Sequence, residues 1–167
     1  MASRITAPKA PVISAPDLPD QLSDAEPSAR ADLTAARIAL QDATDLAHST
    51  IEQGVIEGQA TRLDLRGATV YDVEFSGIRI ADLQSRALNG RRILIAGGRI
   101  GTLDLTDARL TEVEIRDVRI DYLTLAGARV DHMRVSGCTV VTLDMPQAVL
   151  SRVTFENTRA AGVAPRG

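Results

Sequence analysis

Aromatic residues are nearly absent from this chain: two Phe, two Tyr and no Trp, 2% of 167 residues. A core without rings has to be built from Leu, Ile, Val and Ala, which suits a narrow, regular interior better than a bulky one. Cysteine is almost absent too. Cys138 stands alone, which excludes an intramolecular disulfide framework and fits a reducing compartment. No run of about 18 apolar residues occurs, so no membrane span is expected. Arg4 and Lys9 are followed by no apolar stretch of the kind a secretory signal needs. Excess charge of one sign is also lacking. A net charge of -3 is too small to select a nucleic acid or a membrane surface by the field of the whole protein. These absences point to a cytoplasmic protein with no membrane partner, for which direct nucleic-acid binding is not expected.

What is present is a core-sized supply of apolar residues, 44%, in a length suited to one domain. From Leu63 to Phe155 they recur with period five. Leu103-Asp104-Leu105, Ala108-Arg109-Leu110, Val113-Glu114-Ile115 and Val118-Arg119-Ile120 each carry an apolar pair spaced by two, and each pair starts five residues after the last. A helix wants spacings of three and four, and a strand wants sustained alternation. Here alternation lasts three residues and then restarts. The pattern therefore reads as very short strands joined by tight turns, winding into coils that bury their apolar face only by stacking. Two second members of the pairs fail the pattern, Ser85 and Gly90, and one first member, Gly98, has no side chain. The weak patch from Ser85 to Gly90, within the locally polar segment Arg86–Arg92, reads either as a bulged or loosened pair of turns or as a protruding loop with a basic tip.

The turns carry their own signature. Gly67, Gly77, Gly97, Gly127, Gly137 and Asn157 each lie two residues after the second apolar residue of a pair. A type II turn requires positive φ there. In a twenty-residue coil these positions fall into two columns, with Asp107 and Asp117 as tolerable substitutes.

The unit resembles that of the pentapeptide-repeat family, Ala-(Asp/Asn)-Leu-X-X, seen here as Ala108-Arg109-Leu110-Thr111-Glu112 and Ala128-Arg129-Val130-Asp131-His132, with Leu-Asp-Leu variants at 63–65 and 103–105. The resemblance covers 63–157 well and 31–60 weakly. It implies an all-β fold, a right-handed quadrilateral β-helix with four pentads to a coil. The expected organisation is then a flexible, disordered Pro/Ala-rich leader over 1–28, irregular first coils or a capping helix over 29–60, the β-helix over 61–157 and a short C-terminal tail over 158–167. Pro8, Pro11, Pro16, Pro19 and Pro27 interrupt any helix in the leader. Its apolar residues Val12, Ile13 and Leu18 are the anchors if it docks on the body or on a partner.

Function has to be sought on the surface. The residue between each apolar pair points outward, and every twentieth residue stacks. One column reads Arg79, Arg99, Arg119, Thr139, and another reads Asp64, Gln84, Asp104, Thr124, Asp144. Like charges stacked at strand spacing repel unless neighbours screen them. The columns therefore read either as a solvated charge lattice, with Asp117 and Asp121 beside Arg119 and Asp82 near Arg79, or as an acid- or phosphate-binding stripe. Arg79, Arg99, Arg119, Asp64, Asp104 and Asp144 are the candidate interaction residues. No catalytic, metal or cofactor motif stands out. His48 and His132 are far apart, with His132 in an outward turn position, and Cys138 falls inward as a small hydrophobe.

The function expected on these grounds is that of a non-enzymatic protein-interaction or scaffold module, without cofactors and with an unspecified protein partner. The resemblance implies an alternative, a DNA mimic that binds DNA gyrase or another type II topoisomerase in the manner of quinolone-resistance proteins. That mechanism needs an anionic rod, and residues 63–157 carry twelve arginines against thirteen carboxylates. An open last coil also allows a homodimer through that end.

Overall fold

The structure, a computed structural model, describes residues 10–163. Residues 1–9 of the expected leader and 164–167 of the expected tail lie outside the described residues. The chain winds as an all-β parallel solenoid of about six turns. Its strands are β1 (Ser23–Asp24), β2 (Asp32–Thr34), β3 (Ala36–Ala39), β4 (Ala43–Asp45), β5 (Thr50–Asp64), β6 (Thr69–Gln84), β7 (Asn89–Asp104), β8 (Arg109–Thr124), β9 (Arg129–Ser136), β10 (Thr139–Asp144), β11 (Val149–Glu156) and β12 (Arg159–Val163). Each long strand bends round several sides of a coil and pairs in parallel with the coils before and after it. Backbone groups that a lone three-residue strand would leave unpaired are thereby satisfied by neighbouring coils, as where Arg109 N–H donates to Leu88 O at 2.8 Å.

Four sides follow from the pentads. Side A carries Leu63-Asp64-Leu65 and its successors at twenty-residue steps. Side B carries Ala68-Thr69-Val70, side C Val73-Glu74-Phe75, and side D Ile78-Arg79-Ile80. The flanking residues of these triplets are buried and fill one continuous core from Ala36 to Leu143. Apart from Phe75, Met133 and Cys138 that core is Leu, Ile, Val and Ala.

The patch at Ser85 and Gly90 is neither a bulge nor a protruding loop. Register is unbroken there, with Val70 opposite Gly90 and Gly90 opposite Leu110. Ser85 is buried, and its turn closes through Leu88 N–H to Ser85 O at 3.1 Å. The missing side-chain volume remains as a void of about 20 Å³ bordered by Phe75, Ser85 and Leu105.

Three of the four corners use a left-handed residue. Between sides A and B the turn is type II, as in Leu105-Thr106-Asp107-Ala108: Asp107 has φ +58°, Thr106 stays negative, and Ala108 N–H donates to Leu105 O at 3.1 Å. The corner between C and D repeats the positive φ at Gly77, Gly97, Asp117, Gly137 and Asn157. These are the two columns expected from the glycines. The third, between B and C, carries Asp72, Arg92, Glu112, His132 and Arg152 at φ between +51° and +60°, with no glycine to announce it.

Gly137 shows what such a corner demands. Its φ is +63°, and a Cβ would lie 2.5 Å from Asp117 Oδ1. Gly137→Val is expected to cost about 2 kcal/mol, from left-handed strain in a β-branched residue and displacement of Asp117. That corresponds to about 4–8 °C in the thermal midpoint. Ser136→Ala beside it should change the midpoint by about 1 °C. Equal shifts in a thermal melt would refute this account of the corner.

The N-terminal region forms coils, not a capping helix, and the coils are smaller. Asp32 pairs with Thr50 (18 residues on), Thr50 with Thr69 (19), and Thr69 with Asn89 (20). The lost residues are all on side D. Six residues lead from Ser76 to Asp82, five from Glu57 to Arg62, and four from Ala39 to Ala43. Gly58, at φ +107°, spans the shortened stretch. At the other end, residues 159–163, expected as tail, continue the winding as β12 on top of β10.

The leader, expected to be flexible, lies over residues 10–22 along the B–C corner and runs opposite to the stacking direction. Val12 N–H donates to His132 Nδ1 at 2.9 Å, Ser14 N–H to Glu112 Oε1 at 3.0 Å and Asp17 N–H to Asp72 Oδ1 at 3.0 Å. Five residues thus cross three coil spacings, about 2.9 Å each, close to the rise of a polyproline helix. The intermediate coil offers Arg92, a donor, and there the leader has Pro16, which has no N–H to leave unmatched. Pro11 is the buried anchor, while Val12 is 69% exposed. His132 is outward, as expected, but the strap covers it.

Candidate interaction surface

The D–A corner is diagonally opposite the leader. Among the described residues it is the one corner without left-handed residues, and the shortened coils meet it. Because each early coil cuts side D shorter than the next, the surface rises in steps. The steps are Leu40–Asp42, then Gln59–Thr61, then Arg79–Ala81, then Arg99 and Gly101, and finally Asp121. They line an open groove of about 690 Å³. Its floor is small and partly apolar, with Ala60, Ala81 and Gly101 below Leu40.

The arginine column lies on the rim of this groove. Arg79, Arg99, Arg119, Thr139 and Arg159 stack in register, so their Cα atoms repeat at about 4.8 Å. Screening is incomplete. Asp121 serves two of them, Arg119 Nε at 3.2 Å and Arg99 at 3.5 Å. Asp82 accepts from Gln84 Nε2 at 2.5 Å instead of pairing with Arg79. Asp117 lies beside Gly137. Among the described residues Arg79 has no acidic partner. Arg109 and Arg129, stacked on side B, also have none among the described residues, but they take no part in the groove.

The acidic column has a different occupation. Asp64 and Asp104 each accept the backbone N–H two residues on, from Arg66 at 3.0 Å and Thr106 at 2.9 Å. They brace the entry to the type II turns as Asx turns do. Asp45, one coil earlier in the same column, accepts from Ala47 N–H at 3.0 Å. Asp64 also holds the Arg66 guanidinium at 2.8 Å. Burial works to raise the Asp64 carboxyl, and the Arg66 side chain and backbone outweigh it, so the group titrates below the ordinary range. Asp144 accepts from the Tyr122 hydroxyl at 3.0 Å. Burial, then this carboxylate, raise the Tyr122 phenol. The sequence-predicted residues therefore separate into a rim of arginines on side D and, on side A, the turn braces Asp64 and Asp104, with Asp144 held by Tyr122.

Asp72 is a further functional-looking carboxylate that sequence reasoning missed. It is buried at the B–C corner and holds Arg92 Nε at 2.6 Å. The Arg92 hydrogen bond lowers its carboxyl, burial opposes this, and the Asp17 N–H lowers it further, with a net downward shift. A depressed folded value contributes stability that is complete above the unfolded value, about 4, and is lost as pH falls through the folded one. The thermal midpoint should therefore fall below about pH 4, and Asp72→Asn should flatten that fall while keeping an acceptor for Asp17 N–H. An unchanged acid slope in melts at pH 3 and pH 7 would refute the linkage.

Cys138 is buried, its Sγ 3.3 Å from Ser136 O, and burial raises its thiol. Among the described residues, no three His, Cys, Asp or Glu side chains gather as metal ligands would, and no helix is long and apolar enough to cross a membrane. No protein-family model matches this chain, and no curated protein matches it either.

Proposed function

We propose that the chain is a non-enzymatic protein-binding module of the pentapeptide-repeat kind, and that it meets its partner at the stepped groove of side D. One observation carries this reading: Arg79 stands without an acidic partner, among the described residues, on the rim of a groove that three coils of different perimeter open. A stacked arginine column is costly unless something screens it, and a partner's surface would do so. Interfaces are enriched in arginine for its planar, multidentate donors. The polar rim of Gln41, Gln59 and Thr61 around a small-residue floor matches the anatomy of such a contact.

The test is site-specific photo-crosslinking in the cells that make the protein, with a benzophenone residue at Gln59 in the groove or at Arg129 on side B. A discrete adduct from position 59, absent from position 129 and abolished by Arg79→Glu, is the expected result. Adducts of equal yield from both positions, or none from 59, would overturn it.

A further inference from the structure

Resting on the groove as the binding surface, we propose that its occupant is an extended peptide segment of a partner protein, anchored by one carboxylate seated between Arg79 and Arg99. These residues are register partners on adjacent coils. Their side chains spring from points about 4.8 Å apart, close enough for two guanidiniums to converge on a single carboxylate. Arg99 is only loosely held, at 3.5 Å from Asp121, and Asp121 keeps its closer partner Arg119 at 3.2 Å when Arg99 turns away. An arriving carboxylate would thus satisfy Arg79 and share Arg99 without stranding an acid.

Length selects a peptide over a small anion. The groove climbs from Asp42 to Asp121, four coil spacings, about 19 Å. An extended chain at about 3.3 Å per residue covers this with about six residues. A free carboxylate would occupy one step and leave the rest of some 690 Å³ to water. Charge placement selects a single central anion over a polyanion. Asp42 and Asp121 line the two ends of the groove, so a nucleic-acid strand or polyphosphate would set further negative charges against them. Stacking offers no compensation: no aromatic side chain lines the groove, and the Tyr122 hydroxyl is engaged by Asp144. Gln41 and Gln59 lie on the Asp42 side of the anchor, placed to hydrogen-bond a peptide backbone there, while the Thr61 hydroxyl donates to Asp42.

The experiment follows the Arg Nε–Hε resonances of the full chain during titration with a pool of capped hexapeptides. The peptides carry Glu at the third position and Ala, Val or Thr elsewhere. A matched pool has Gln at that position, and sodium acetate is a third titrant. Saturable shifts at Arg79 and Arg99 with the Glu pool are expected. Half-saturation should be at least about tenfold higher with the Gln pool, with acetate and with Arg79→Gln. Arg109→Gln/Arg129→Gln should titrate like the native chain. Equal response to Glu and Gln pools, equal affinity for acetate, or equal loss in the side B variant would overturn the proposal. A groove crosslink from position 59 that persists alongside such a failure would leave the binding surface standing and remove only this occupant.

Discussion

Gly98→Ala is expected to lower the thermal midpoint by about 10 °C or more, the largest effect of any single methyl added to this chain. Gly98 is stacked between Ile78 and Val118, at an inward position where the pattern otherwise places a side chain. Its φ is +115°, and a Cβ would lie 2.0 Å from Ile78 O and 2.9 Å from Ile78 N. Both obstacles are backbone of the preceding coil, so no rotamer change relieves them. The two coils would have to part locally and lose ladder hydrogen bonds. Strain and separation together amount to about 4 kcal/mol or more, and a chain of this size loses about 2–4 °C per kcal/mol. Gly77→Ala is the control. Its φ is +57°, and no described atom lies within 4 Å of the added carbon, so the cost is the left-handed strain alone, about 1 kcal/mol. Comparable melts for the two variants would show that the approach of Ile78 is not limiting.

Ile120→Ala should cost about 3–4 kcal/mol in urea unfolding, against about 1 kcal/mol for Leu150→Ala. Ile120 is fully buried between Ile100 and Val140 of the neighbouring coils. Leu150 is only partly buried and stacks on Val130, in the last described strand of its side. In a solenoid each coil contacts only its neighbours. A methyl cluster removed from the middle therefore opens a cavity facing two coils, and one removed from the end faces one. If both substitutions lower the midpoint equally, the core is not partitioned coil by coil as this packing requires.

The long regular part of the fold was legible because its period is simple. From Leu63 to Leu143 the inward pairs of the sequence are, almost without exception, the buried residues of the structure, and from Met145 to Phe155 they are only partly covered. Glycine marked two of the corners. It could not mark the third, because Asp72, Arg92, Glu112 and His132 look like solvated charges until the strap is seen to lie over them. Residues 29–60 resisted reading for a geometric reason. Each of the first coils lacks one residue relative to the next, so the pentad phase slips at Glu57–Gln59 and again at Ala39–Ala43. The same slips hid the groove. Arg79, Arg99 and Arg119 were visible as a column, but the step beside them arises from unequal perimeters, which no single pentad reveals. For the acidic column the reverse holds. Asp64 and Asp104 stood out as surface charge, and their work for the turns became visible only with the N–H groups at Arg66 and Thr106.

The strap makes this rod a counted object. Solenoids ordinarily tolerate gain or loss of a coil, since one more repeat changes only local contacts. Here Val12 and Ser14 reach across 120 and 98 positions of sequence to His132 and Glu112, and Asp17 is fixed to Asp72. Inserting one twenty-residue coil between Asp72 and Glu112 would carry the upper two acceptors about 4.8 Å away, beyond an already extended chain. The leader is thus a ruler laid along the stack, matched to one number of coils. Its upper contacts form only after the coils between have closed, although it is the earlier part of the chain to be synthesised.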